Sequence, residues 1–264
     1  MVSKRIQLDQ LIVECFDTRE ALGAAAGKEV LHRLSILLAE KEEVNMIFAA
    51  APSQVELLTA LVKAKQLDWN RVNAFHMDEY VGLDKVAPQG FGNFLDRHLF
   101  AHLPFKRVFY LTPFGKSAAS ACEAYANALQ AYPTDIVCMG IGENGHIAFN
   151  DPHVADFDDP ELVKIVHLDE ACRQQQVNDK CFHTLNEVPS MALTLTVPAL
   201  MRARYAFCTV PAASKALAVY RTLAEPIREE CPASILRRHP KAKLFVDRDS
   251  FTQYANRISN TETR

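Results

Sequence analysis

Short runs in which nearly every residue is apolar alternate with longer stretches whose apolar residues recur every three to four positions. No other feature constrains the fold of this chain as much. Asn45 to Ala50, Val72 to His76, Asp135 to Met139 and Tyr205 to Val210 are such runs. A strand without polar alternation must be covered on both faces, as in a parallel sheet. Between the runs, Thr18 to Glu40 sets Leu22, Ala26, Val30, Leu34 and Leu37 on one face at a period near 3.6, with Thr18 able to cap it. Ser53 to Lys65, Gly92 to His102, Ser117 to Tyr132, Phe251 to Ile258, and Ser214 to Leu223 with Ser214 as cap, also read as helices. Further strands are expected at Lys164 to Leu168, Met191 to Leu195 and Ala242 to Val246. Strand–helix alternation of this kind predicts a doubly wound, Rossmann-like α/β fold, with a mostly parallel sheet and helices on both faces. With no low-complexity linker and no repeat, residues 1–264 are expected to form a single domain. Ligands of such sheets bind beyond the carboxyl ends of the strands, so chemistry is sought in the segments that follow them.

Composition removes several classes of function. The formal net charge is -3 and the basic residues are scattered, so no nucleic-acid partner is expected. Cysteines number seven, an odd count, and none are spaced C-x-x-C, which argues against a disulfide framework or zinc cluster. Met1 to Asp9 has basic residues but no apolar run after them, unlike a signal peptide. Nowhere does an apolar stretch approach the roughly 18 residues of a membrane span. The cytoplasm is therefore the expected compartment, and no membrane partner is expected.

Gly140-Ile-Gly142-Glu-Asn-Gly145 follows a strand and matches G-x-G-x-x-G. A dinucleotide site needs a helix to open at the last glycine. Here Asn150-Asp151-Pro152 marks a turn instead, so that reading is set aside. Two post-strand segments hold better candidates. In Phe75-His-Met-Asp78-Glu79-Tyr80, a buried strand delivers two carboxylates at its end. Desolvation there would raise a carboxylate's basicity and suit it to proton abstraction; equally, Asp78 or Glu79 could cap a following turn. In Gly140 to Pro152, glycines let the backbone approach a ligand, and His146 can move protons near neutral pH. Asp151, five residues on, could orient the imidazole. His98 and His102 have i, i+4 spacing but no third ligand in sight, so no metal is expected.

Met77-Asp78-Glu79-Tyr80-Val81-Gly82-Leu83 and Gly140-x-Gly-x-x-Gly-His146-Ile-Ala-Phe-Asn-x-Pro152 together resemble the two signatures of the glucosamine-6-phosphate deaminase (isomerase) family. Asn186-Glu-Val-Pro189, Ala192-Leu-Thr194, Lys215-Ala-x-Ala218 and Pro232-Ala-Ser234 continue the similarity in order. The 6-phosphogluconolactonases share the fold and a similar Gly-His segment, but not Met-Asp-Glu-Tyr. What the resemblance implies is an enzyme that converts glucosamine 6-phosphate, or a related amino-sugar phosphate, to a ketose 6-phosphate and ammonia. By carry-over, Asp78 is the C2 base and His146 assists ring opening. No metal or organic cofactor is implied. The expected partner is a small sugar phosphate, and self-association into a homo-oligomer is compatible with the sequence. A lactonase-type hydrolase and a non-catalytic sugar-phosphate sensor are the alternatives on the same fold.

The chain departs from that family at two places. An aspartate two residues before the histidine and a glutamate five after it become Asn144 and Asp151. The Thr-Gly-Gly-Thr-Pro-type phosphate turn becomes Ala49-Ala-Ala-Pro52-Ser53. Ser53 could still donate to phosphate, or serve only as an N-cap. Lys215 falls at a phosphate-binding lysine of the family, with a surface lysine as the plainer reading. The family's phosphate arginine has no clean equivalent here; Arg173 and Lys180 both lie nearby, Lys180 being slightly favoured. Gly142 and Gly145 complete the expected ligand-binding residues.

Overall fold

A computed structural model describes residues 2–112 and 117–262; Met1, the start of the segment tested above for a leader, lies outside them. The first half of the chain forms β1 (Val2–Leu8), β2 (Leu11–Phe16), α1 (Arg19–Glu40), β3 (Val44–Phe48), α2 (Val55–Lys63), β4 (Val72–His76) and β5 (Asp78–Tyr80). Next come α3 (Phe91–His98), β6 (Arg107–Phe109), α4 (Ala118–Ala131), β7 (Ile136–Met139), β8 (Val163–His167) and α5 (Glu170–Asn178). β9 (Met191–Leu195), α6 (Val197–Met201), β10 (Tyr205–Val210), α7 (Ala216–Ala224), β11 (Ala242–Asp247) and α8 (Arg248–Glu262) follow.

Eight strands form one sheet in the order β1-β2-β11-β10-β7-β3-β4-β6. Every pairing in it is parallel except β1 with β2. From β3 the chain winds outward through β4 to β6, and from β7 outward through β10 to β11. The order therefore reverses between β3 and β7, the doubly wound arrangement expected. Alternate residues feed two cores. Val44, Met46 and Phe48 of β3 pack with Leu22, Val30, Leu34 and Leu37 of α1 and with Leu57 and Leu61 of α2. Ile47 of β3, and Val137 and Met139 of β7, face Tyr125 and Leu129 of α4 and Val219 of α7. Burying each such side chain contributes about 1.5–3 kcal/mol, which explains why these strands carry no polar alternation. The Thr18 side chain accepts from Ala21 N and caps α1 as expected.

Several expectations are corrected. The N-terminal hairpin β1–β2 and the edge strand β6 were not foreseen, since they are short or carry charged, exposed residues. Asp78 to Tyr80, read as a post-strand loop, is a strand. It belongs to a second, antiparallel sheet, β5-β9-β8, whose other two strands were expected among the parallel ones. Ser214 lies in a 3₁₀ turn, Ala213–Lys215, and α7 begins at Ala216 with no side-chain cap. Ser53 likewise caps nothing; it lies in a 3₁₀ turn, Pro52–Gln54, ahead of α2. The helix expected from Gly92 to His102 breaks at Leu99, so His98 and His102 do not share a helical face.

Candidate active site

Adjacent strands β4, β3, β7 and β10 end on one side of the large sheet, and the segments leaving them line a cavity of about 460 Å³. This is the crevice outside the reversal of strand order, where open α/β sheets hold ligands. Its volume falls in the range of small-molecule sites. Asp78, His146, Gly142, Ser53, Lys180 and Lys215 all line it.

Asp78 arrives there because the chain changes sheets at Met77, whose carbonyl accepts from Leu195 N at 2.8 Å. Strand alternation then turns Asp78 and Glu79 opposite ways. The Glu79 carboxylate accepts from Tyr80 N (2.9 Å), Phe91 N (3.0 Å) and Gly92 N (2.9 Å), the last two at the start of α3. Of the two carboxylates offered by the sequence, Glu79 is thus the cap. Among the described residues, no donor hydrogen-bonds the Asp78 carboxylate. Burial first, and the Glu79 charge second, push the Asp78 pKa well above the usual carboxylate range. His76 holds the backbone beneath it. Its Nδ1 lies 2.9 Å from Asp78 O, an acceptor, and its Nε2 accepts from Leu111 N at 2.8 Å. Those partners require the neutral imidazole, and burial lowers its pKa to about 4.

The turn after β7 is built around His146. Gly142 N donates to His146 O (2.9 Å) and Gly145 N to Gly142 O (3.0 Å), curling the backbone under the ring. A Cβ at Gly142 would lie 2.2 Å from His146 Nε2, and Gly145 has φ +92°; neither position accepts a side chain without strain. No helix opens at Gly145; the chain forms an isolated bridge, Ile147 to Asn150, instead. Asp151, fully buried, sets Oδ1 2.8 Å from His146 Nδ1. That oxygen lies off the ring's N–H direction, so the contact is one of charge more than of linear hydrogen bonding. Asn144 fixes both groups. Its Oδ1 accepts from His146 N (3.0 Å), and its Nδ2 donates to Asp151 Oδ1 (3.0 Å) and Asp169 Oδ2 (3.4 Å). Burial alone would raise the Asp151 pKa, but the close contact with His146 and the Asn144 hydrogen bond outweigh it and hold this carboxyl low.

Lys215 is buried, contrary to the plainer reading of a surface lysine. Burial lowers its pKa below 10.5, with Asp179 and Glu143 acting the other way. Arg173 does not line the cavity; its guanidinium donates to Leu185 O and Val188 O. Of the two cations left open by the sequence, only Lys180 lines it. Ala148, Lys180 and Ala212, three of the four non-glycine residues with positive φ among the described residues, also line it. Each such conformation costs of order 1–3 kcal/mol and is typical of ligand-binding walls. Sequence reasoning missed Arg19, Arg97 and Asp179, which line the cavity, and Gln54, whose carboxamide contacts Ser53. Arg19 and Arg97 enter through helices whose cavity-facing ends depend on tertiary packing.

Donor atoms of His146, Asp151 and Cys172, and of Asp151, His153 and Asp169, each lie within 4.8 Å of one another. Burial, followed by the Asp151 and Asp169 charges, keeps the Cys172 thiol far above its usual pKa and so protonated. Asp151 already has partners, and neither group is a ready metal cage.

The sequence pattern of the family described as glucosamine-6-phosphate isomerases/6-phosphogluconolactonase matches residues 17–246. A glucosamine-6-phosphate deaminase of Bacillus cereus (strain G9842) is 33% identical over 220 residues, covering 83% of this chain and 82% of the relative. Another, of Bacillus cereus (strain B4264), is 32% identical over 237 residues, covering 90% and 87%. A solved structure of a monomeric glucosamine-6-phosphate deaminase superposes with a TM-score of 0.83 at 26% identity, covering 91% of this chain and 98% of that one. The 6-phosphogluconolactonase of Thermotoga maritima shares the fold, with a TM-score of 0.73 at 20% identity over 90% of this chain and 99% of that one. With both signature segments inside the matched region and facing one cavity, this chain belongs to the glucosamine-6-phosphate isomerase/6-phosphogluconolactonase family.

Proposed function

We propose that the protein converts glucosamine 6-phosphate and water to fructose 6-phosphate and ammonia. One observation carries the reading: an unpaired, desolvated carboxylate and a carboxylate-backed imidazole face a single cavity that also holds a buried ammonium. The relatives at 32–33% identity are named for this reaction.

In the proposed course, Lys215, Ser53 and Lys180 hold the phosphate. His146, backed by Asp151, carries a proton between O5 and O1 as the ring opens. Asp78 then takes the C2 proton, the C–H electron pair forms the C1=C2 enol, and O1 takes up a proton released by the C2 ammonium. Return of the proton from Asp78 to C1 leaves an imine at C2, which water hydrolyses to the ketose and ammonia. A desolvated carboxylate is a stronger base than an exposed one, closer to what this abstraction needs. The seven cysteines are all free thiols, and among the described residues no helix is long and apolar enough to cross a membrane. Together with a charged substrate, these features fit the cytoplasm.

The test is ammonia release from a panel of hexosamine 6-phosphates, with 6-phosphogluconolactone as control. Asp78→Asn is expected to keep ligand-induced thermal stabilisation and to lower kcat on glucosamine 6-phosphate by at least about a hundredfold. Lactone hydrolysis that survives Asp78→Asn would favour the hydrolase reading. Stabilisation by ligand with no turnover in the unaltered protein would favour a sensor.

A further inference from the structure

The turn after β3 lacks the glycines that let a phosphate turn aim backbone N–H groups at an anion. It reads Ala49-Ala-Ala-Pro52-Ser53-Gln54, and Pro52 has no N–H. Gln54 lies beside it with a side chain that is 1% exposed. Its Nε2 is 3.3 Å from Thr209 O and 3.1 Å from Ser53 Oγ, and its Oε1 accepts from Thr209 Oγ1 at 2.9 Å. These contacts fix which end of the amide is which. Thr209 O can only accept, so the group facing it must be the NH₂. The same NH₂ then donates its second hydrogen to Ser53 Oγ. Having no lone pair to offer, it cannot take the Ser53 hydroxyl hydrogen. Among the described residues nothing else accepts that hydrogen, and Ser53 lines the cavity.

We infer that Gln54 is a positioning residue that makes Ser53 an obligate hydrogen-bond donor toward the cavity, so that an alanine-rich turn still binds a phosphate monoester. The inference rests on the sugar-phosphate reading above. It also assigns a task to Gly140, the first glycine of the motif set aside as a dinucleotide signature. A Cβ there would lie 2.9 Å from Gln54 Nε2 and 3.4 Å from Ser53 Oγ, so glycine leaves the carboxamide its passage from the β3 turn to β10. Arg19 also braces the turn, donating to Pro52 O and, at 2.6 Å, to Glu56 Oε1.

A double-mutant cycle tests this, read as competitive inhibition by inorganic phosphate and as KM for glucosamine 6-phosphate. Hydrogen bonds to charged groups set the expected scale. Ser53→Ala and Gln54→Met should each weaken phosphate binding about 10- to 100-fold, raising KM by more than they lower kcat. The double variant should be no weaker than Ser53→Ala alone, because Gln54 acts through the hydroxyl. Losses that multiply, or a Gln54→Met protein that binds phosphate normally, would overturn the inference. If Gln54→Met does not fold, Gly140→Ala replaces it in the cycle with the same expectations. The two readings fail separately. A protein with no deaminase turnover that still binds phosphate through Gln54 and Ser53 would refute the reaction alone. Full turnover with uncoupled phosphate binding would refute the positioning role alone.

Discussion

At position 144 an amide stands where the family resemblance leads one to expect an aspartate, and its contacts show what the exchange does. One Nδ2 donates to two carboxylates, Asp151 and Asp169, while Oδ1 accepts from His146 N. The amide therefore does more than remove a charge: it supplies a donor between two acids. Asn144→Asp would replace that donor with a third carboxylate. The Asp151 pKa, now held low partly by the Asn144 bond, should rise. If ring opening needs ionised Asp151, kcat/KM of the variant should fall severalfold more at pH 6 than at pH 8. A pH–rate profile identical in shape to that of the unaltered protein would show that Asp151 does not depend on this amide. Asp78 and Glu79 teach a second lesson at this scale. Both were visible as carboxylates at a strand end, but which one caps a helix was decided by α3, more than ten residues away.

At the scale of elements, the cavity depends on how closely α1 and α2 approach. A Cβ at Gly23 would sit 2.2 Å from Glu56 Cβ, and one at Gly27 would sit 2.4 Å from Ala60 Cβ. The two glycines let the helices touch backbone to backbone, and the turn bearing Ser53 opens directly into α2. Gly27→Ala must push the helices apart. Overpacking of this kind costs about 1–3 kcal/mol, and in a chain of this size each kcal/mol lowers Tm by about 2–4 °C. A thermal melt of the variant with an unchanged midpoint would disprove the close-contact account. KM for the sugar phosphate should rise as well, because Ser53 moves with α2.

Across the whole molecule, acid stability is set by groups that the fold buries in one charge state. His76 is neutral in the fold, with its pKa lowered from 6.5 to about 4. An unfolded chain therefore binds a proton that the native one refuses. Its contribution is complete above pH 6.5 and is lost as pH falls toward 4, on the order of 3 kcal/mol in all. Asp78 and Glu79, with raised pKa values, act oppositely: their contribution is complete below the ordinary carboxylate range and is lost as pH rises. Asp78 and Glu79 act alike in both proteins, so denaturant unfolding should show the unaltered protein losing more stability than His76→Gln between pH 7 and pH 5. An equal slope in both proteins would contradict the assignment. Local pattern in the sequence was enough for the buried parallel strands β3, β4, β7, β10 and β11, the long capped helix and the two signature segments, because burial on both faces and a 3.6-residue period leave marks on neighbouring residues. It could not resolve β5, the Glu79 cap, the burial of Lys215 or the pairing of Arg173 with carbonyls away from the cavity. Those outcomes turn on which distant backbone groups reach a side chain first, and such partners come together only when the strands assemble into their sheets.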